Sequence, residues 1–346
     1  MLDLKDKRIL IIMPKFYTYQ EEMKKDLDSR GAISFFYDEE PPKVEYLIRK
    51  NIAAFTKQNN LYEAFNKRLV DKIESEVGQC DYMLVIRGNV LEPATIEKLK
   101  REVLREDGKC VYYSWDSIAR SSNQERVAAC FERKLSFDSR DVEDYPGYEL
   151  LPLFYTDDFS VEEEDAEDYV KVFDYVSIQS FTPFRYACMK AFKEANPDKN
   201  MFIKLYLNKS VYQAKRIKEP GLFKHLDMDL ITFEPYSPSR IRELCLQSKA
   251  VIDITHEAQR GLTMRTMEML GLRCKLVTNN SFIKKYEFYN SKNYYVLEDI
   301  TLENIASENF EPFRLPDAKW LNASYKNMEK IRAKYSIHAW LDNLLK

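Results

Sequence analysis

The chain alternates short apolar runs with amphipathic helical stretches, and it does so twice. RILIIMP, EEMKKDLDSRG and AISFFY form the first such unit: a strand-length apolar run, a helical stretch ending at Gly31 in a C-cap position, and a second strand. Parallel strands need crossovers of this kind, so the pattern predicts parallel sheets with helices on both faces. A helical region over 44–77 follows, with Tyr46, Leu47, Phe55, Leu61, Phe65, Leu69 and Ile73 at helical spacing and Lys50, Lys57, Lys67, Arg68 and Lys72 on its other face. CDYMLVIRG, a helix over 94–105 and KCVYYSW complete a first sheet.

The stretch SFDSRDVEDYPGYELLPLFYTDDFSVEEEDAEDY is rich in acids and turn formers, and it marks a domain boundary. The run EEEDAED, with Asp157 and Asp158, has no metal-cage spacing and reads as solvated linker. A second alternation then runs through VKVFDYVSI, MFIKLYL, LITFEP, AVIDITH, KLVTN and YYVL, with helices between. The expected fold class is therefore α/β, with two Rossmann-like domains over 1–158 and 159–318. Residues 319–346 read as a final helix with no strand left to cover.

At 346 residues each half is long enough to bury its own core. A formal net charge of -3 and the lack of any recognised module argue against nucleic-acid binding. The apolar run after the basic start is too short for a signal peptide and ends at Pro14, and no stretch approaches the roughly 18 apolar residues of a membrane span. Six scattered cysteines without a CxxC pair read as reduced, buried thiols, so a cytoplasmic location is expected. The chain holds only 8 glycines and neither a P-loop nor a GxGxxG fingerprint.

One glycine nevertheless sits in a strongly polar stretch, THEAQRGLTMRTMEMLG. AVIDI before it reads as a central parallel strand, and ligands of open α/β sheets bind at the carboxyl ends of such strands. Gly261 permits close backbone approach or a positive φ, and the helix start after it offers free N–H groups to an anion such as a diphosphate. Gly261, Leu262 and Thr263 are the expected cradle; an ordinary turn and helix N-cap are the plainer alternative. Arg265 and Glu268 share a helix face. Glu268 could accept hydrogen bonds from a ribose diol, or pair with Arg265 or Lys275.

The same stretch, extended to THEAQRGLTMRTMEMLGLRCKLVTNN, resembles the donor-binding segment of bacterial GT-B glycosyltransferases of capsule and O-antigen assembly, relatives of the spore-maturation type included. In many of those enzymes two glutamates eight positions apart bracket this loop and helix; Glu268 matches the second, while Arg260 stands at the first. Weaker matches, YYSWDSI, LSFDSRD, LLPLFY and YEFYN, extend the resemblance over most of the chain. The resemblance implies two domains facing a central cleft, with the last helix crossing back to the first domain. It also implies a nucleotide-sugar donor, a glycan or lipid-linked glycan acceptor, and no metal or other cofactor. Arg185 and Lys204 are the residues it suggests for neutralising the leaving diphosphate.

Other candidates follow from position. His256 and Gln259 lie after the AVIDI strand and could touch the donor; Asn279 and Asn280, after the next strand, could line the same crevice or make the turn. Asp116, after VYYSW, could act as general base on an acceptor hydroxyl or cap the following helix. Arg87-Gly88-Asn89 occupies a like position. The basic face over 44–77 could meet anionic lipid, giving peripheral membrane contact, or be a plain amphipathic face. The function these features predict is transfer of a sugar from a nucleotide diphosphate to a hydroxyl of a bacterial surface glycan. An epimerase or glycerophosphate transferase on the same scaffold, or a noncatalytic nucleotide-sugar-binding protein, are the alternatives.

Overall fold

A computed structural model describes residues 2–16, 18–42, 62–120, 122–255 and 260–346. The chain divides into two compact units, one made of Met1–Leu153 with Ile337–Lys346 and the other of Phe154–Ser336. Each holds a six-stranded sheet, and every pairing among the described residues is parallel. The α/β class is therefore as the alternation predicts.

In the first unit the strands are β1 (Arg8–Met13), β2 (Ile33–Asp38), β3 (Cys80–Ile86), β4 (Leu104–Ser114), β5 (Arg133–Ser136) and β6 (Tyr148–Leu150), in the order β2-β1-β3-β4-β5-β6. Ile9 to Met13 are all fully buried, as a central strand covered on both faces requires. The described covering helices include α1 (Tyr19–Ser29), α2 (Glu63–Val77), α3 (Pro93–Val103), α4 (Ser122–Ala128) and α5 (Ser139–Asp144). Of the long helical region expected over 44–77, α2 is the described part; it buries Phe65, Leu69 and Ile73 and exposes Lys67, Arg68 and Lys72. The rest lies outside the described residues.

The second unit contains β7 (Phe173–Ser180), β8 (Met201–Tyr206), β9 (Ile231–Thr232), β10 (Ser248–Asp253), β11 (Lys275–Thr278) and β12 (Tyr294–Val296), in the order β12-β11-β10-β7-β8-β9. Its helices include α6 (Pro183–Ala195), α7 (Lys209–Lys218), α8 (Pro238–Leu246) and α9 (Met264–Gly271). Thr182 caps α6 and Ser237 caps α8, each side chain accepting a backbone N–H, with a proline at the first helical position of each.

The boundary falls five residues earlier than the acidic composition suggests. Asp157 and Asp158 are exposed, but Phe154, Tyr155, Phe159 and Val161 between and around them are buried in the second unit. Gly271 shows how tightly: a Cβ built there would lie 2.1 Å from the Phe159 carbonyl oxygen and 2.7 Å from the Tyr155 ring. Only glycine permits that approach.

Residues 319–346 are not one helix. Ala318–Asn322 and Glu329–Arg332 are short turns of helix in the second unit, and only α10 (Ile337–Leu344) returns to the first. A buried cation anchors the segment before the break to the second unit. The buried guanidinium of Arg332 donates to the Gly271 carbonyl and the Ser160 hydroxyl, each at 3.1 Å, and shares Glu329 with Arg273. In the first unit α10 buries Trp340, Leu341 and Leu344, with Trp340 edge-on to Tyr113 at 5.0 Å. Arg133 donates to the carbonyls of Asn343 and Leu344, satisfying the helix end.

Candidate functional site

In the second sheet the chain moves outward from β7 through β8 to β9 on one side, and from β10 through β11 to β12 on the other. The carboxyl ends of β7 and β10 thus form a topological switch point, where an open α/β sheet leaves a crevice. The ladder joining the two strands runs from Ser248 opposite Phe173 to Val251 opposite Val176. Beyond it, side chains take over. Ser177 Oγ donates to the Ile252 carbonyl at 3.0 Å, while buried Gln179 donates to Ser177 Oγ at 2.8 Å and accepts the Ile254 N–H at 3.1 Å. These bonds satisfy backbone that the ladder no longer serves.

Arg185, in the first turn of α6, bridges the two strand ends. Its Nε donates to the Ile254 carbonyl at 2.8 Å and its Nη1 to the Ser180 carbonyl at 3.1 Å. A half-buried cation therefore stands at the switch point, held by the ends of both strands.

The start of α9 is tied to β10. Thr263 is the N-cap: its Oγ1 accepts the Thr266 N–H at 3.2 Å and donates to Asp253, a buried carboxylate, at 2.5 Å. The Thr263 hydroxyl is thus committed to the fold, and its capping alternative is realised. Leu262 is buried, and the Gly261 carbonyl accepts from Asn280 Nδ2 at 3.3 Å, as does that of Arg260. Arg265 Nη1 and Glu268 Oε2 form an ion pair at 2.7 Å, with only 15% and 9% of the side chains exposed. Lys275, the other cation considered for Glu268, donates instead to the Trp320 carbonyl.

Asn279, just after β11, ties the end of that strand to the end of β10. It accepts the Thr255 N–H at 2.9 Å and donates to the Thr255 carbonyl at 3.1 Å. With Asn280 it holds both ends of the loop between Thr255 and Arg260. His256 and Gln259, in that loop, lie outside the described residues.

Lys204 is not brought to this crevice. It sits in mid-β8, opposite Ile178, and donates to the Asp229 carbonyl at 2.6 Å, toward the β9 edge. Residue spacing identified the strand but not the direction in which the side chain finds a partner.

In the first unit Asp116 follows β4 at the carboxyl edge of its sheet and is half-buried. Capping of the next turn falls to Asp141, whose Oδ1 accepts from the Ile118 N–H and the Ser117 hydroxyl, each at 3.1 Å. Burial pushes the Asp141 carboxyl above its ordinary range. On the same edge the structure assembles a pair that sequence reasoning left apart. Arg87 and Gly88 both have positive φ, at 72° and 73°, and the Arg87 guanidinium pairs with Glu39 and Glu40 after β2. Glu39 is fully buried, and desolvation pushes its carboxyl up to about 7 in spite of Arg87. The signal was available: YDEEPP places two acids directly after a strand.

No protein-family model matches this sequence, and neither does any curated protein sequence. Solved structures do match in fold. A glycosyltransferase from Rickettsia africae superposes with a TM-score of 0.58 at 11% identity, over 98% of this chain and 96% of that one. The Anabaena protein HepE in complex with UDP-glucose gives 0.54 at 9% identity, over 97% and 98%. The UDP-GlcNAc 2-epimerase of Methanocaldococcus jannaschii gives 0.54 at 10% identity, over 97% and 99%. In architecture, then, this chain is a protein of two Rossmann-like domains, with the GT-B fold that these glycosyltransferases and the epimerase share.

Proposed function

We propose that the chain is a glycosyltransferase that moves a sugar from a nucleotide diphosphate to a hydroxyl acceptor, a growing bacterial surface glycan. The observation that carries this reading is the switch point of the second sheet, where Arg185 spans the ends of β7 and β10 and the Arg265–Glu268 pair lies on α9 just beyond β10. Arg185 and Arg265 supply positive charge for a departing diphosphate, and backbone amides from Gly261 to Thr263 add to it. Glu268 orients the ribose through its hydroxyls. His256 and Gln259 contact the sugar and diphosphate, and Asp116 serves as base on the acceptor hydroxyl. No metal is required in this scheme, because the cations and amides supply the charge. Lys204 has no part in it.

The likeness to solved proteins bound to UDP-glucose or named for UDP-GlcNAc supports a nucleotide-sugar donor. No helix among the described residues is long and apolar enough to cross a membrane. We place the chain in the cytoplasm, meeting a lipid-carried acceptor at the membrane surface.

A calorimetric and thermal-shift screen of UDP, GDP, CMP, dTDP and their sugars tests the donor site. One nucleotide should stabilise the wild type selectively and lose that effect in Glu268→Ala; no response to any of them would overturn the reading. The epimerase likeness supports a second chemistry on the same site. Incubation with the donor alone separates them, since an epimerase converts it without an acceptor and a transferase does not.

A further inference from the structure

At the opposite edge of the second sheet, by the amino ends of β10 and β11, lies a cavity of about 330 Å³. Lys171, Lys249, Arg273 and Lys275 line it, with Glu163 as its one carboxylate. Two of the cations are already neutralised, Lys249 by Asp174 at 2.8 Å and Arg273 by Glu329, and Glu163 accepts from Asn327. The other two hold only neutral partners among the described residues. Lys171 Nζ donates to the Leu246 carbonyl at 2.7 Å, and Lys275 Nζ donates to the Trp320 carbonyl and lies 4.6 Å from the Trp320 ring.

Lys275 is only 5% exposed, and taking an ammonium out of water costs free energy unless an anion compensates. That cost shows in its acidity, since burial alone pulls Lys275 down to about 8. The Trp320 ring and carbonyl offset part of that cost, but no carboxylate among the described residues pairs with Lys275. A ligand could supply an anion: exposed Lys171 lines the same cavity, and Leu321 and Tyr325 in its lining suit a compact organic body. Its volume is at the small end of ligand pockets, which run from ~300 to 1,000 Å³.

We propose that this cavity is a binding site for a small phosphate-bearing metabolite of monosaccharide-phosphate size, separate from the switch-point crevice. Lys275 and Lys171 pair with the phosphate oxygens, while Leu321 and Tyr325 pack against the carbon frame. The two sites lie a strand length apart, about 17 Å for six residues, and the inference does not rest on the glycosyltransferase reading.

The test is calorimetric titration of the full chain with glucose 6-phosphate, with uncharged glucose and inorganic phosphate as comparisons. Saturable binding of glucose 6-phosphate is expected, tighter than that of inorganic phosphate and absent for glucose. Lys275→Met should weaken it at least tenfold, and Lys171→Met, an exposed position that leaves the fold intact, should weaken it too. Glu268→Gln in the crevice should leave it unchanged. Wild-type affinity in both lysine variants, loss in Glu268→Gln, or no binding up to millimolar concentrations would each overturn the proposal.

Discussion

Arg265 Nη1 stands 2.7 Å from Glu268 Oε2, one turn along α9, and burial leaves neither side chain more than 15% exposed. Breaking one side of such a pair strands a charge in a poorly solvated place. Glu268→Ala alone is expected to lower stability by roughly 3 kcal/mol, and the double variant with Arg265→Ala to recover part of that loss. Both should weaken nucleotide binding at least tenfold. Urea denaturation and calorimetry on the four proteins of the cycle check the coupling and the affinity separately.

Glu39 links the first unit's stability to pH. Its folded carboxyl is raised to about 7 from an ordinary 4.5, so the folded chain holds a proton that the unfolded chain has released. Stability contributed by that proton is complete below about 4.5 and is lost as pH rises through about 7. Glu39→Gln keeps the protonated shape at every pH. Relative to wild type, its stability in urea denaturation should therefore be greater at pH 8 than at pH 5, by on the order of 3 kcal/mol. An unchanged difference between the two pH values would contradict the assignment.

Arg273 follows α9 with φ of 54°, a left-handed position where glycine is usual. The guanidinium offsets the backbone cost by donating to Val161, Asn327 and Glu329. Replacing it by alanine removes those bonds and keeps the strain, whereas glycine removes both. Arg273→Gly is expected to be more stable than Arg273→Ala by about 1 kcal/mol, with both below wild type in chemical denaturation.

Gly271→Ala should be among the most damaging single-methyl additions in the second unit. The new Cβ would meet the Phe159 carbonyl and the Tyr155 ring inside van der Waals distance, and backbone must shift to admit it. A loss of ~3 kcal/mol or more is expected, read as a lowered thermal midpoint with α/β circular dichroism retained.

These sites differ in how well sequence foretold them. Local pattern was enough for the strands, for α9 and its Thr263 cap, and for the Arg265–Glu268 pair, because each depends on neighbours within a turn or a strand. It was not enough where partners are distant. Glu39 meets Arg87 across 48 positions, and Asn279 holds Thr255 across 24. Lys204 shows the converse: a strand position is legible, but the carbonyl that captures its ammonium comes from a connection whose path the pattern does not give. The tail segment failed for a related reason, since its apolar spacing suggests one helix while the buried Arg332 network holds its first half elsewhere.

The return of α10 also orders events during synthesis. The second unit is one unbroken stretch, Phe154–Ser336, while the first is completed by Ile337–Lys346. On the ribosome, every residue of the second unit emerges before the helix that carries Trp340, so the first-made sheet waits with Tyr113 uncovered until translation has passed the whole of its neighbour. Until then the early half is the piece most in need of protection from aggregation, although its strands were the first to be made.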